Sequence, residues 1–271
     1  MKAPYPKISI VSPSFNQGRF IEEAIISVMI QNYPNYEHII VDGGSTDNTL
    51  EILKKYPHLV WVSETDQGQS DALNKGFRMA TGDVIGWLNT DDTYLPDAFF
   101  RVADAFSDNS IDAVYGNFRI VSSGSEVLRE MVTQNPRKWM SLFYSHVPSE
   151  TLFFRRSIVD KDIRIDKDFH ISMDKEFIAH IFYSGYKIRK INAFLAHFRT
   201  HENNKSKDTT EVRAIRHREG LIIFNRYSGL RLPDNFIGSG LYKTADDICT
   251  VYRVFSRMFG IWLFDNKEAL S

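Results

Sequence analysis

Four times in the first 110 residues a short apolar run breaks off into polar residues, and the first three breaks lead into a stretch of helical periodicity. The runs are Lys7 to Ser12, Tyr36 to Val41, Leu59 to Ser63 and Asp83 to Leu88. Helices are predicted over Phe20 to Gln31, over Asn48 to Tyr56 with Ser45 or Thr46 as cap, and over a third segment carrying Asp71, Asn74 and Lys75. Strands alternating with helices at this spacing fold as right-handed βαβ units around a parallel sheet. An α/β fold follows.

The polar breaks contain Asn16, Asp42, Glu64 and Asp91, one per strand. In open α/β sheets ligands bind beyond the carboxyl ends of the strands, so these four clusters are expected to converge on one crevice. The fourth, Asn89-Thr90-Asp91-Asp92, is a hard-oxygen set suited to Mg²⁺ or Mn²⁺ shared with phosphate. On spacing alone a helix N-cap explains it equally well.

Beyond Asp112 the texture changes. Ala113 to Val121 and Glu126 to Val132 read as a hairpin, Pro136 to Phe143 as a helical patch, Thr151 to Phe154 as a strand, and Tyr186 to Ala196 as another. A helix from Met173 to Tyr183 has Asp174 and Glu176 in its first turn, where carboxylates suit the dipole without further purpose. A charged helix over Asp208 to Tyr227, a linker over Ser228 to Gly240 and a final helix over 242–264 complete the chain. That last helix mixes Tyr252, Phe255, Phe259, Trp262 and Phe264 with Arg253 and Arg257. Core packing, a homodimer contact and an interfacial membrane helix all accommodate this mixture.

A net charge of -1 and a pI near 6.7 argue against a nucleic-acid partner. The single cysteine, Cys249, excludes an intramolecular disulfide and fits a reducing cytosol. With no signal peptide at the N-terminus and no spanning apolar run, a cytoplasmic protein is expected, at most peripheral at the inner face of the membrane. Neither G-x-G-x-x-G nor G-x-x-x-x-G-K-[ST] occurs, so phosphate must be held another way.

Six motifs in order, Pro13-Ser14-Phe15-Asn16, VDGGSTDNT (Val41 to Thr49), SETDQGQSDALNKGF (Ser63 to Phe77), ATGDVIGWLNTDD (Ala80 to Asp92), LFFRRS (Leu152 to Ser157) and MDKEF (Met173 to Phe177), resemble the family 2 glycosyltransferases. The resemblance spans Lys7 to Ser206. It implies a GT-A fold, Rossmann-like, with a mostly parallel sheet flanked by helices and a C-terminal helical extension. Its division would be 1–206 for the GT-A domain, with 1–112 holding the nucleotide sugar and 113–206 the acceptor, and 207–271 for the extension.

The resemblance also implies inverting transfer of a sugar from a nucleotide diphosphate sugar, UDP expected, to a saccharide or lipid-linked acceptor in surface polysaccharide or glycolipid synthesis. By it, Pro13, Phe15, Asn16 and Asp42 contact the nucleotide, and Glu64, Asp66, Asp71 and Lys75 line the sugar-nucleotide pocket. Asn89 and Asp91 stand where the family carries D-x-D. Asp91 is then the ligand of Mn²⁺ or Mg²⁺, joined by His201, while Asn89 keeps a ribose hydrogen bond open. Leu73 replaces an arginine common in relatives, which leaves the diphosphate to Lys75 or Arg199. Asp174 matches the general base, with Glu176 as its alternate. Arg155 and Arg156 are further candidates for a phosphate on the acceptor. Two other readings are a nucleotidyltransferase, whose glycine-rich basic first loop is missing here, and a non-catalytic nucleotide-sugar-binding protein.

Overall fold

The computed structural model describes residues 5–205, 207–233 and 238–248. The first half follows the apolar runs. Strand β1 (Ile8–Ser14), helix α1 (Ile21–Met29), β2 (Tyr36–Asp42), α2 (Thr49–Leu53), β3 (Val60–Ser63), α3 (Gln69–Met79) and β4 (Val84–Trp87) alternate. β3, β2, β1 and β4 lie side by side and parallel. β1 and β4 are buried along their whole length, as strands covered on both faces must be. Adjacent residues point to opposite faces: Ile10 and Val84 pack with α1 and α4 (Ala98–Ala105), whereas Val11 and Ile85 pack with Leu73 and Phe77 of α3. Gly76 lets α3 sit tight on the sheet, since a Cβ there would lie 2.3 Å from Val11 Cγ1.

The second half breaks the parallel pattern. It comprises β5 (Thr93–Tyr94), β6 (Ala113–Val121), β7 (Val127–Met131), β8 (Phe153–Arg155), α5 (Ser157–Asp160), α6 (Met173–Tyr183), β9 (Ile188–Arg199) and α7 (Thr210–Tyr227). Strand order is β3-β2-β1-β4-β8-β6-β9-β5, with β7 hairpinned on β6. β8 runs antiparallel to both β4 and β6, and β9 runs parallel to β6. β5 follows β4 almost at once in sequence yet pairs at the other end of the order, with Thr93 opposite His197. That pairing curls the sheet and brings the end of β9 beside the end of β4.

Several expectations need correction. Neither Ser45 nor Thr46 caps α2: Ser45 Oγ donates to Asp42, and Thr49 N donates to Asp47 Oδ1 at 3.0 Å instead. The patch before Phe143 is a 3₁₀ turn, Lys138–Leu142, and a second such turn, Ser149–Thr151, precedes β8. The final helix has already begun by residue 238, inside the expected linker, and is described to 248. Cys249 and the aromatic and arginine residues of 252–264 lie outside the described residues. Among the described residues no helix is long and apolar enough to cross a membrane.

Candidate active site

A cleft of about 1130 Å³ opens over the carboxyl ends of β1, β2, β3 and β4. Pro13, Phe15, Gly43, Asp66, Asn89 and Asp91 line this wall. Phe15 is 60% exposed, an apolar ring held at the rim where a flat base can stack. Gly43 keeps the wall thin, because a Cβ there would lie 2.9 Å from Asp66 Oδ2. Asp66 in turn accepts from Gly68 N at 2.8 Å and so orders the start of α3.

The corner made by the curl of the sheet holds Asp91. Its Oδ2 lies 3.0 Å from His201 Nε2, and Asn204 Nδ2 reaches the same oxygen at 3.5 Å. The Phe20 ring covers His201, centroid to centroid 4.7 Å. Asn203 N donates to His201 Nδ1 at 3.3 Å, a bond that orients the imidazole toward the carboxylate. Asp92 faces inward, accepting from Arg199 N at 2.9 Å, and its carboxyl is pushed up by burial and by the nearby Asp91 and Glu150 charges. Asn89 Oδ1 already accepts from Trp87 Nε1 and Gln69 Nε2, both at 2.9 Å, and its Nδ2 donates to Asp92. The ribose bond expected of it therefore competes with an internal network.

The opposite wall comes from the second half of the chain. Asp174, in the first turn of α6, lines the cleft and accepts from Ser145 Oγ at 2.9 Å. Burial raises its carboxyl above the ordinary range, against hydrogen bonds from the Lys175 N–H and Ser145 that favour the anion. Glu150, on the 3₁₀ turn before β8, also lines the cleft and is 4% exposed. Its carboxyl is pushed up to about 7 by burial and by the charges of Asp174 and Asp91. Nothing in the motifs singles out Glu150. The available signal is topological, since an antiparallel β8 must present its beginning where β4 presents its end.

Other expected site residues are drawn into the framework. Asp42 is fully buried, its oxygens accepting from Gly44 N, Ser45 N, Ser45 Oγ and Ser63 Oγ, so it shapes the turn beneath the cleft. Asn16 accepts from Thr46 N at 2.8 Å and ties the first loop to the second. Lys75 pairs with Glu64, and neither lines the cleft. Asp71 pairs with Lys167 at 2.5 Å. Arg199 is buried and donates to Asp91 O, Ser123 O, Ser125 Oγ and Glu23. It holds chain segments together and is not directed at the cleft. Glu176 is 1% exposed and bound by Arg226 and Tyr227, at 2.7 and 2.6 Å, which removes it as an alternate base. Arg155 donates to three backbone carbonyls and Arg156 to Gly82 O. Among the described residues the Lys and Arg side chains that do line the cleft are Arg129 and Lys205.

The chain is similar to an uncharacterized glycosyltransferase of Nostoc sp., 27% identical over 239 residues, covering 82% of this chain and 74% of that protein. It also resembles TuaG of Bacillus subtilis, assigned to teichuronic acid biosynthesis, 29% identical and covering 47% and 52%. Among solved structures, Staphylococcus aureus TarS 1–349 in complex with UDP-GlcNAc superposes with a TM-score of 0.64 at 20% identity, over 82% of this chain and 67% of that one. A Pyrobaculum calidifontis mannosyltransferase in complex with GDP-Man and Mn²⁺ gives 0.58 at 17% identity, over 94% and 84%. At such identities the likeness to both structures concerns the fold. The model of the glycosyl transferase family 2 matches residues 9–173, more than half of the sequence, and with the curled, helix-flanked sheet this makes the chain a family 2 glycosyltransferase of GT-A fold.

Proposed function

We propose that the chain transfers a sugar, with inversion, from a nucleotide diphosphate sugar to an acceptor hydroxyl, with Asp174 as general base. The observation that carries this reading is one cleft with Asp91 on its donor wall and Asp174 on its acceptor wall. Inverting displacement needs a carboxylate on the side opposite the leaving group. An acceptor oxygen bonds the anomeric carbon while its proton passes to Asp174, and the bond from that carbon to the diphosphate breaks with its electron pair leaving on the nucleotide. Burial suits Asp174 to this role by making it a stronger base than an exposed aspartate.

The corner at Asp91 fits a divalent ion as a partial shell. Carboxylate and imidazole are acceptable donors to Mn²⁺, and no three His, Cys, Asp or Glu side chains cluster among the described residues, so diphosphate oxygens would complete the set. Asp91 and His201 would hold the ion, which supplies charge neutralisation for the departing diphosphate. Lys205, on the same loop as His201, adds a cation at the cleft. Uridine as the base, a saccharide or lipid-linked acceptor, and a setting in surface polysaccharide or glycolipid assembly take support from what TarS binds and from where TuaG is assigned. The extension at 207–271 accompanies a catalytic body at 1–206.

Calorimetry of UDP, dTDP and GDP with and without Mn²⁺, on wild type and Asp91→Asn, tests the donor site. The expected result is one nucleotide bound with manganese and weakened by about 100-fold in the variant. Binding of none of the three would overturn the proposal.

A further inference from the structure

Asp174 owes its place to a segment with few bonds of its own. Residues 163–172 lead into α6 and are clasped from two sides. From α3, Asn74 bonds both the N–H and the C=O of Ile165, at 3.0 and 2.7 Å, and Asp71 pairs with Lys167. From α7, Glu219 turns a carboxylate that is 5% exposed onto three consecutive backbone N–H groups. Its Oε1 accepts from His170 N at 2.7 Å, and its Oε2 accepts from Ile171 N at 3.1 Å and Ser172 N at 2.7 Å.

Those donors stand immediately before Asp174. Ser172 is the residue that precedes α6, and His170 and Ile171 form part of the cleft wall. A buried N–H must find an acceptor, and here one side chain serves three in a row. Three further contacts from the extension reach the first turn of α6: Arg226 and Tyr227 hold Glu176, and Tyr242 accepts from Lys175 Nζ at 3.0 Å. The residues flanking Asp174 are thus fixed from beyond residue 206.

We propose that Glu219 is a positioning residue for the transfer reaction, fixing the start of α6 so that Asp174 meets the acceptor hydroxyl. The inference rests on the reading of Asp174 as general base. Its consequence is that α7 belongs functionally to the active site although none of its side chains lines the cleft. A base displaced by about 1 Å loses roughly a hundredfold in rate, whereas donor binding on the far wall is untouched.

The test measures nucleotide release from UDP-GlcNAc, UDP-glucose, dTDP-glucose and GDP-mannose with Mn²⁺, together with UDP affinity and amide hydrogen exchange. The proteins are full-length wild type, Glu219→Gln, Glu219→Ala, Asp174→Asn and the Glu219→Ala/Asp174→Asn double variant. Gln keeps the shape and one acceptor oxygen, so it folds even where Ala does not. Expected are a kcat loss of about tenfold for Gln and about a hundredfold for Ala, with donor KM and UDP Kd changed less than about twofold. Exchange should rise at 170–172 and stay unchanged in α3. In the Asp174→Asn background Glu219→Ala should add less than about twofold, because the group it positions is gone. Full turnover in both Glu219 variants, or losses that multiply in the double variant, would overturn the inference while leaving Asp174 as base. Undiminished turnover in Asp174→Asn, or release by wild type from none of the four donors, would overturn the proposed function and the inference with it.

Discussion

The two walls of the cleft are built on opposite strand polarities. On the wall proposed for the donor β1 to β4 run parallel, so the rim is made at and beyond the strands' carboxyl ends: Phe15 after β1, Gly43 after β2, Asp66 after β3, Asn89 and Asp91 after β4. On the wall proposed for the acceptor β8 is antiparallel to β4, so the rim receives the residues that precede it, Ser149 and Glu150, while Asp174 arrives on the first turn of a helix. Which flank of an apolar run carries function is therefore a question of strand direction, and direction changes halfway through this sheet.

If the acceptor wall performs chemistry and the donor wall performs binding, variants should divide along the same line. Asp174→Asn should lower turnover by about a thousandfold with UDP affinity unchanged, and loss of affinity instead would erase the division. Phe15→Ala should do the reverse, raising the UDP Kd by about tenfold while kcat at saturating donor holds, as expected for removal of one stacking ring. Equal loss of kcat would mean that the ring also orders the reacting sugar.

Glu150 sharpens the contrast through pH. Its folded pKa is raised to about 7 from an ordinary value near 4.5, so the folded state favours the protonated form. Above the unfolded value the unfolded chain ionises more readily, and stability falls as pH climbs toward 7. Glu150→Gln should therefore raise Tm relative to wild type at about pH 8, with the advantage vanishing near pH 5. An advantage independent of pH would mean that Glu150 stays ionised in the fold. Smallest of all, Lys75→Met should leave nucleotide affinity unchanged and shift stability by about 0.5 kcal/mol or less, because the Glu64 half of its ion pair is more than half exposed to solvent.

The same change of direction explains what could be read beforehand. All four strands of the first half and the start of α6 at Met173 follow from periodicity, and each of the four strand ends sends a residue into one cleft, though of Asn16, Asp42, Glu64 and Asp91 only Asp91 lines it. A polar cluster does not say which of its members faces out. Asp42 and Asn16 were as visible as Phe15, yet both turn back to satisfy the backbone N–H groups of the next loop. Lys75 or Arg199 is the cation expected at a diphosphate, but α3 aims Lys75 at Glu64 beside β3, Arg199 is bonded within the framework, and Lys205 reaches the cleft from a loop remote in sequence. Glu219 shares the buried face of α7 with Leu221, Ile223 and Phe224, yet the sequence does not say what a charge there would bond, and only the packed structure shows it on the segment before α6.

The contact between Asp91 and His201 joins residues 110 positions apart, and it depends on β5 finding β9. The wall proposed for the donor, in contrast, draws its rim residues from the chain up to Asp91, although its core is closed later by Phe154 and Phe177. During synthesis the residues of that rim emerge long before the corner that would hold a metal can close, because the corner waits for the end of β9. On the proposed reading, the part of the fold completed last is thus the part assigned to the diphosphate, and the residues assigned to the nucleoside are made well before it.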